Sequence, residues 1–341
     1  MKLIETKNAV GHVLCHDLTQ IIPGVTKDAR FRKGHIVAEE DIPVLLSMGK
    51  DHLYVWEKTE GMLHEDEAAV RLRDISINEN MTATEPKEGK VELKAAIHGL
   101  FRVDVDRLFA INSLEEIMIA TRHTNSVVHP GDKLAGMRVI PLIVSEDKVE
   151  AAEEAAGDEP LMELLPFRRR TAAVITTGTE VFLGRIEDKF TPVLIDKLGK
   201  LGVEVVSHTK APDDREKIVA AIQAAHSSGV DLILCTGGMS VDPDDQTPGA
   251  IKAAGVTVTS YGAPVLPGAM FLLGYFGDGT PVMGLPGCVM YAKATIFDLI
   301  LPRVLCDVPV TKADLARLGH GGLCLGCGEC RYPICPFGKE E

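Results

Sequence analysis

From about residue 171 onward, the apolar positions alternate between two periods. Residues 172–176, 203–206 and 231–235 are short apolar runs of strand length. Between them Phe190, Val193, Leu194, Leu198 and Leu201 recur at helical spacing, as do Ile218, Val219 and Ile222. Asp213, with Glu216 three residues on, reads as the cap of the second helix. Thr247-Pro248 supplies an N-cap and a first helical residue for another. Short strands are expected near 256–260, 270–273 and 281–284, then a long helix over about 288–301. Such alternation predicts a three-layer, doubly wound α/β domain.

Before residue 165 the pattern is mixed. Ile36-Val37, Tyr54-Val55-Trp56 and residues 91–95 and 138–144 read as strands. Ser113-Leu114-Glu115-Glu116 is a capping-box pattern that predicts a helix carrying Ile117 and Ile119. Residues 57–90 are polar and irregular enough to separate two subdomains. Residues 146–163 hold eight acidic side chains and one lysine, and predict an exposed helix followed by a linker. The expected organisation is an N-terminal subdomain (1–57), a β-rich middle subdomain with a linker helix (58–165), the α/β domain (166–305) and a cysteine-rich tail (306–341).

Composition narrows the function classes. With 341 residues, 45% hydrophobic and 25% charged, the chain can bury a sizeable core. Its net charge of −13 argues against sequence-independent nucleic-acid binding. No apolar run approaches the roughly 18 residues that span a bilayer. The start, Met1-Lys2-Leu3-Ile4-Glu5-Thr6, lacks a signal-peptide core, so a cytoplasmic location is expected.

Glycine placement supplies the chemistry. Thr176-Thr177-Gly178-Thr179, Thr236-Gly237-Gly238-Met239-Ser240 and Gly284-Leu285-Pro286-Gly287 each follow an apolar strand. In open α/β sheets ligands bind at the carboxyl ends of strands, where glycine lets backbone N–H groups approach an anion. These three turns predict a phosphate-bearing ligand. Asp242-Pro243-Asp244-Asp245 follows the second turn and reads either as turn chemistry or as a cation site. Mg²⁺ is typically held by one or two carboxylates plus substrate phosphates, so the pairing suggests metal-assisted phosphate chemistry. Glu180 reads either as a ligand contact or as a surface residue, while His208 and His226 show no spacing that carries a hypothesis.

At these residues the chain resembles a known family. Ile175-Thr176-Thr177-Gly178-Thr179-Glu180 is similar to the S-T-G-D-E-L opening of the molybdopterin-binding domain, and Gly237-Gly238-Met239-Ser240 to its G-G-V-S turn. Thr236 through Pro248 resembles the T-G-G-x-G-x-x-P-x-D-x-T-P of the molybdopterin adenylyltransferase branch, with a similar segment in competence-damage-inducible proteins. Pro267-Gly268 and Gly284-Leu285-Pro286-Gly287 match the P-G-K-P and G-L-P-G pieces of the molybdopterin molybdotransferases. The stretch from Ala9 to Leu18 and Gly34 to Val55 is similar to their beginning, but their P-P-F-D-x-S-x-M-D-G-Y-A segment is missing. Further departures are Thr179 for Asp, Ala269 for Lys and Cys288 for Asn.

The resemblance implies a ligand of molybdopterin or its adenylated form, with molybdate and an adenine nucleotide as further partners and a homo-oligomer as the assembly. It places Thr177, Gly178, Thr179, Glu180, Gly237, Gly238, Ser240, Asp244, Pro286 and Gly287 around the pterin. Asp245 falls on the catalytic aspartate position and would hold Mg²⁺. Two readings stay open: a Mg²⁺-dependent molybdate-inserting enzyme that releases AMP, and a non-catalytic molybdopterin carrier or sensor.

The tail adds a separate signal. Cys324-x2-Cys327-x2-Cys330-x4-Cys335-Pro336 is near the ferredoxin spacing, with one extra residue before the last cysteine. An iron–sulfur cluster or zinc is expected there.

Overall fold

The computed structural model describes residues 2–22, 26–55, 60–240 and 245–339. Trp56 and the Asp242-Pro243-Asp244 part of the acidic run lie outside the described residues. The chain divides into two compact units, one of residues 1–96, 103–124 and 130–164, the other of 97–102, 125–129 and 165–341.

The second unit carries the α/β domain. Its strands are β1 (Thr171–Thr177), β2 (Glu204–Ala211), β3 (Leu232–Thr236), β4 (Thr257–Tyr261), β5 (Leu272–Tyr275) and β6 (Pro281–Leu285). They form one six-stranded sheet in the order β2-β1-β3-β6-β5-β4. β2, β1, β3 and β6 run parallel; β5 is antiparallel to both β6 and β4. The continuous apolar runs β3 and β6 are buried throughout, as interior parallel strands require.

Pleating sends alternate residues to opposite layers. Ala172, Val174, Leu232, Leu234, Met283 and Leu285 join one buried cluster with α2 (Phe190–Gly199) and α5 (Ile296–Leu305). Ala173, Ile175, Ile233, Cys235 and Val282 join the other with α3 (Arg215–Ser227) and α4 (Thr247–Ala253). Helices therefore cover both faces of the sheet, giving the doubly wound architecture expected from the alternation. The single turn α1 (Thr179–Phe182) follows β1, and α6 (Lys312–Arg317) leads into the tail.

Several boundaries differ from the sequence reading. The cap of α3 is Asp214, which accepts from the Glu216 and Lys217 amides at 3.0 and 3.1 Å; Asp213 is not the cap. Thr247 is the first residue of α4, after an N-cap at Gln246. The helix expected over 288–301 is a short 3-10 turn at Gly287–Met290 and then α5, which begins only at Ile296. Thr295 and Asp298 form a capping box that fixes this later start.

In the first unit an antiparallel sheet is built from Met81–Ala83, Lys90–Ala95, Lys133–Val139 and Ile117–Thr121. Ser113 ends a helix (Val105–Asn112) capped by Asp104, where the sequence predicted a helix start. Ile117 and Ile119 lie in a strand, as their spacing of two demands. Helix Glu65–Asp74 occupies the stretch expected to be irregular, burying Ala68, Ala69 and Leu72. The acidic helix Glu146–Ala156 is half-buried rather than exposed, with Val149, Ala152 and Ala156 inside. Arg71 bridges its Glu146 and Glu153 at 3.0 and 2.6 Å. No helix among the described residues is long and apolar enough to cross a membrane.

Candidate functional site

Register brings the glycine turns to one edge. Thr176 pairs with Thr236, and Thr236 with Leu285, so β1, β3 and β6 end level with one another. The turns Thr177-Gly178, Gly237-Gly238 and Pro286-Gly287 leave from these adjacent ends. Adjacent strands are about 4.8 Å apart, so the three turns span about 10 Å of the carboxyl edge.

The first two turns are in direct contact. Gly237 has φ +85°, and a Cβ there would lie 2.2 Å from the Thr177 carbonyl oxygen. At Gly238 (φ +53°) a Cβ would lie 2.9 Å from Thr247 Oγ1, 3.5 Å from Thr177 Oγ1 and 3.6 Å from Asp245 Oδ1. Only glycine combines these backbone angles with this closeness. Thr247 Oγ1 pairs with Thr177 Oγ1 at 2.9 Å, and the Thr177 hydroxyl donates to Thr236 O at 3.1 Å. Met239 packs its thioether on Gly284 of β6, joining the second turn to the third strand.

Asp245 therefore faces Gly238, on the same side as the turns. Its Oδ2 is buried and has no hydrogen-bond partner among the described residues, nor has Thr236 Oγ1 at the end of β3. A buried carboxylate oxygen without a partner is costly, and a cation is one group that completes it. Burial, together with the Asp245 charge, raises the pKa of the Tyr261 phenol. Tyr261 donates to Met239 O at 3.0 Å, which holds the second turn.

Other predicted residues behave differently. The Thr179 amide donates to Asp213 Oδ2 at 2.8 Å, and Thr179 Oγ1 accepts from the Asp213 amide at 3.2 Å. Asp213 thus takes the first amide of α1, which an anionic ligand would otherwise use. Glu180 and Ser240 are exposed, Pro286 is buried, and Gly287 is exposed with open space around its Cβ position. Asp244 lies outside the described residues. Gly268, in the Pro267-Gly268 match, packs against Ile296 at the start of α5.

The tail cysteines are all reduced, and among the described residues no three His, Cys, Asp or Glu side chains are placed to hold a metal ion. Its cysteines divide into an anchored pair, Cys324 and Cys335, and an exposed pair, Cys327 and Cys330.

A polar cluster that the sequence reading passed over lies at the end of β1. Asp188 Oδ2 accepts from the hydroxyls of Thr191 (2.6 Å) and Thr176 (3.2 Å) and pairs with His208 Nε2 at 3.1 Å. Burial works to raise the Asp188 pKa, but bonds from the Thr191 hydroxyl and the Thr191 and Phe190 amides outweigh it and hold the carboxyl below its ordinary value. Asp188 and His208 meet only because β2 pairs beside β1, which no sequence spacing announces.

Parts of the chain are similar to known proteins. Residues 173–305 match a family described as a probable molybdopterin binding domain, and residues 3–57 match a domain of unknown function. A molybdopterin molybdenumtransferase from Synechococcus elongatus is 32% identical over 145 residues, covering 40% of this chain and 34% of that protein. A CinA-like protein from Mycobacterium sp. (strain JLS) is 41% identical over 76 residues, covering 22% of this chain and 18% of that one. The chain thus spans about a third and about a fifth of the lengths of these relatives. The crystal structure of the tungsten cofactor synthesizing protein MoaB from Pyrococcus furiosus is 26% identical with a TM-score of 0.33, covering 40% of this chain and 92% of that one. Residues 173–305, with their three glycine turns on one sheet edge, are similar over that stretch to the probable molybdopterin binding domain.

Proposed function

We propose that this chain binds adenylated molybdopterin at the carboxyl edge of the sheet and promotes Mg²⁺-dependent insertion of molybdate with release of AMP. The observation that carries the proposal is the buried Oδ2 of Asp245, which faces the Gly237-Gly238 turn and has no hydrogen-bond partner among the described residues. Asp245, with Asp244 beside it in sequence, would hold Mg²⁺ against a ligand phosphate. Few protein ligands suffice when phosphates supply the rest. Mg²⁺ held there would supply charge neutralisation for cleavage of the phosphoanhydride of the adenylated pterin. The amides of Gly178, Gly237, Gly238 and Gly287 would receive phosphate and pterin oxygens, flanked by Thr177, Thr179, Glu180, Ser240 and Pro286. A cytoplasmic location and a homo-oligomeric assembly belong to the same reading.

Two observations favour the second reading, a molybdopterin carrier or sensor. Asp213 already accepts the Thr179 amide, and Ala269 supplies no cation beside Gly268. Both features weaken transition-state stabilisation more than ground-state binding. An assay for AMP release with adenylated molybdopterin, molybdate and Mg²⁺ separates the two. Turnover that needs all three supports the enzyme; stoichiometric binding with no AMP supports the carrier; absence of both overturns the pterin site.

A further inference from the structure

The tail is a closed loop fastened to the α/β domain at both ends. The Gly338 amide donates to Gly321 O at 3.0 Å, and Gly321 is so close to Lys339 that a Cβ would lie 2.6 Å from its carbonyl oxygen. On the incoming side Leu323 bridges Leu266. The Leu266 amide donates to Gly322 O and the Cys324 amide to Leu266 O, each at 2.8 Å. On the outgoing side Phe337 is buried in the apolar layer of α5, Gly338 lies against Leu299, and Tyr332 donates to Asp298 O at 3.1 Å. Cys324 and Cys335 pack against that same layer, which fixes their positions.

Between them the tip is open. Cys327 and Cys330 are exposed, and Leu325 and Ile334 are 73% and 84% exposed, although both are apolar. Gly326 (φ +63°) and Gly328 flank Cys327, and a Cβ on either would meet nothing within 4 Å. The space on the side-chain side of both glycines is open, which leaves room for the tip to fold inward. Four reduced thiols within twelve residues, two of them exposed, form a donor set for a soft metal and are prone to oxidation without one.

We propose that Cys324, Cys327, Cys330 and Cys335 are the four thiolate ligands of one thiophilic metal centre, Zn²⁺ or an iron–sulfur cluster, whose binding draws the tip onto the two anchored cysteines. The fastened loop ends have already lost much of their conformational freedom, so ordering the tip is the main remaining cost. The loop also holds Leu266, next to Pro267-Gly268, so the closed centre steadies the segment packed on the start of α5. The proposal stands independently of the pterin reading, because no ligand of the centre is among the pterin-site residues.

Elemental analysis of the full chain purified anaerobically is the test, with native thiol titration before and after chelation. The expected result is about one zinc per chain, or about four irons with matching sulfide and a brown colour. The four tail thiols should then be protected until a chelator is added, and hydrogen exchange of residues 321–338 should quicken on metal removal. Cys327→Ser and Cys330→Ser should lose the metal and melt together with the metal-free parent, since both side chains are exposed and only the metal's contribution is lost. Failure of the purified chain to hold either metal, even after anaerobic reconstitution with Zn²⁺ or with iron and sulfide, overturns the proposal. So does a disulfide among the four cysteines in the anaerobic protein.

Discussion

Asp245 lies beside Gly238 with one oxygen buried and unpartnered among the described residues, so its charge is poorly solvated until something binds. Asp245→Asn removes that charge while keeping the side chain's size. The variant should melt within about 1 °C of the parent or slightly above it, because relieving a buried charge offsets the loss of any cation. Its Mg²⁺-dependent AMP release should fall by about a hundredfold or more, the equivalent of several kcal/mol of lost charge stabilisation. Unchanged turnover in the variant removes Asp245 from the chemistry. Gly237 behaves oppositely. Gly237→Ala forces a Cβ to within 2.2 Å of the Thr177 carbonyl oxygen at φ +85°. Urea unfolding should show a loss of about 2–5 kcal/mol, from backbone strain plus displacement of β1 against β3. A loss under about 0.5 kcal/mol shows that the two turns are not in contact.

The elements that position the site are β1, β3 and β6, and these were the most legible part of the chain. Continuous apolar runs bounded by glycine turns leave little alternative to interior strands. Capping was read less well. Asp213 and Asp214 adjoin, and sequence does not distinguish a residue that caps α3 from one that ties β2 to α1. Asp214→Ala should cost about 1 kcal/mol of stability, the usual value of an N-cap. Asp213→Ala should leave that cap intact and free the Thr179 amide for an anion. Chemical denaturation of the two variants checks the order, and equal losses contradict it. Helix Glu65–Asp74 was missed because two of its four buried residues are alanines and a third is Glu65, and because its cap is His64, whose side chain accepts from the Asp66 amide. The Asp188 cluster gives a pH signature at this scale. Its folded pKa is depressed, so its contribution is present above the unfolded value of about 3.9 and is lost as pH falls through the lower folded one. Asp188→Asn should therefore cost about 1.5–3 kcal/mol at pH 7. The gap to the parent should narrow in acid below about pH 4. Unfolding curves at pH 7 and pH 3 that show the same gap exclude an ionised Asp188 as the centre of the cluster.

For the molecule as a whole, the sequence revealed more of the α/β domain than of its surroundings. Three turns separated by about sixty and fifty residues in the chain meet because parallel pairing sets Thr176, Thr236 and Leu285 level. That convergence follows from the fold class, so it was legible. The Asp188–His208 pairing depends on which strand lies beside β1 and on how α2 enters, and neither has a local signature. The tail was legible as a cysteine spacing but not as a loop fastened at Leu266 and Phe337, since those contacts lie far away in sequence. The central claim is that the turns at residues 178, 237–238 and 287 form one molybdopterin site completed by a cation at Asp245. Equilibrium binding of adenylated molybdopterin to the full chain, followed by pterin fluorescence with and without Mg²⁺, tests it most directly. Saturable binding of one pterin per α/β domain, tightened by Mg²⁺, is expected. Gly238→Val should abolish it, because that position has only 2.9 Å to Thr247 Oγ1, while the fold survives by circular dichroism. Pterin binding that is absent in the parent, or equally tight in a folded Gly238→Val variant, contradicts it.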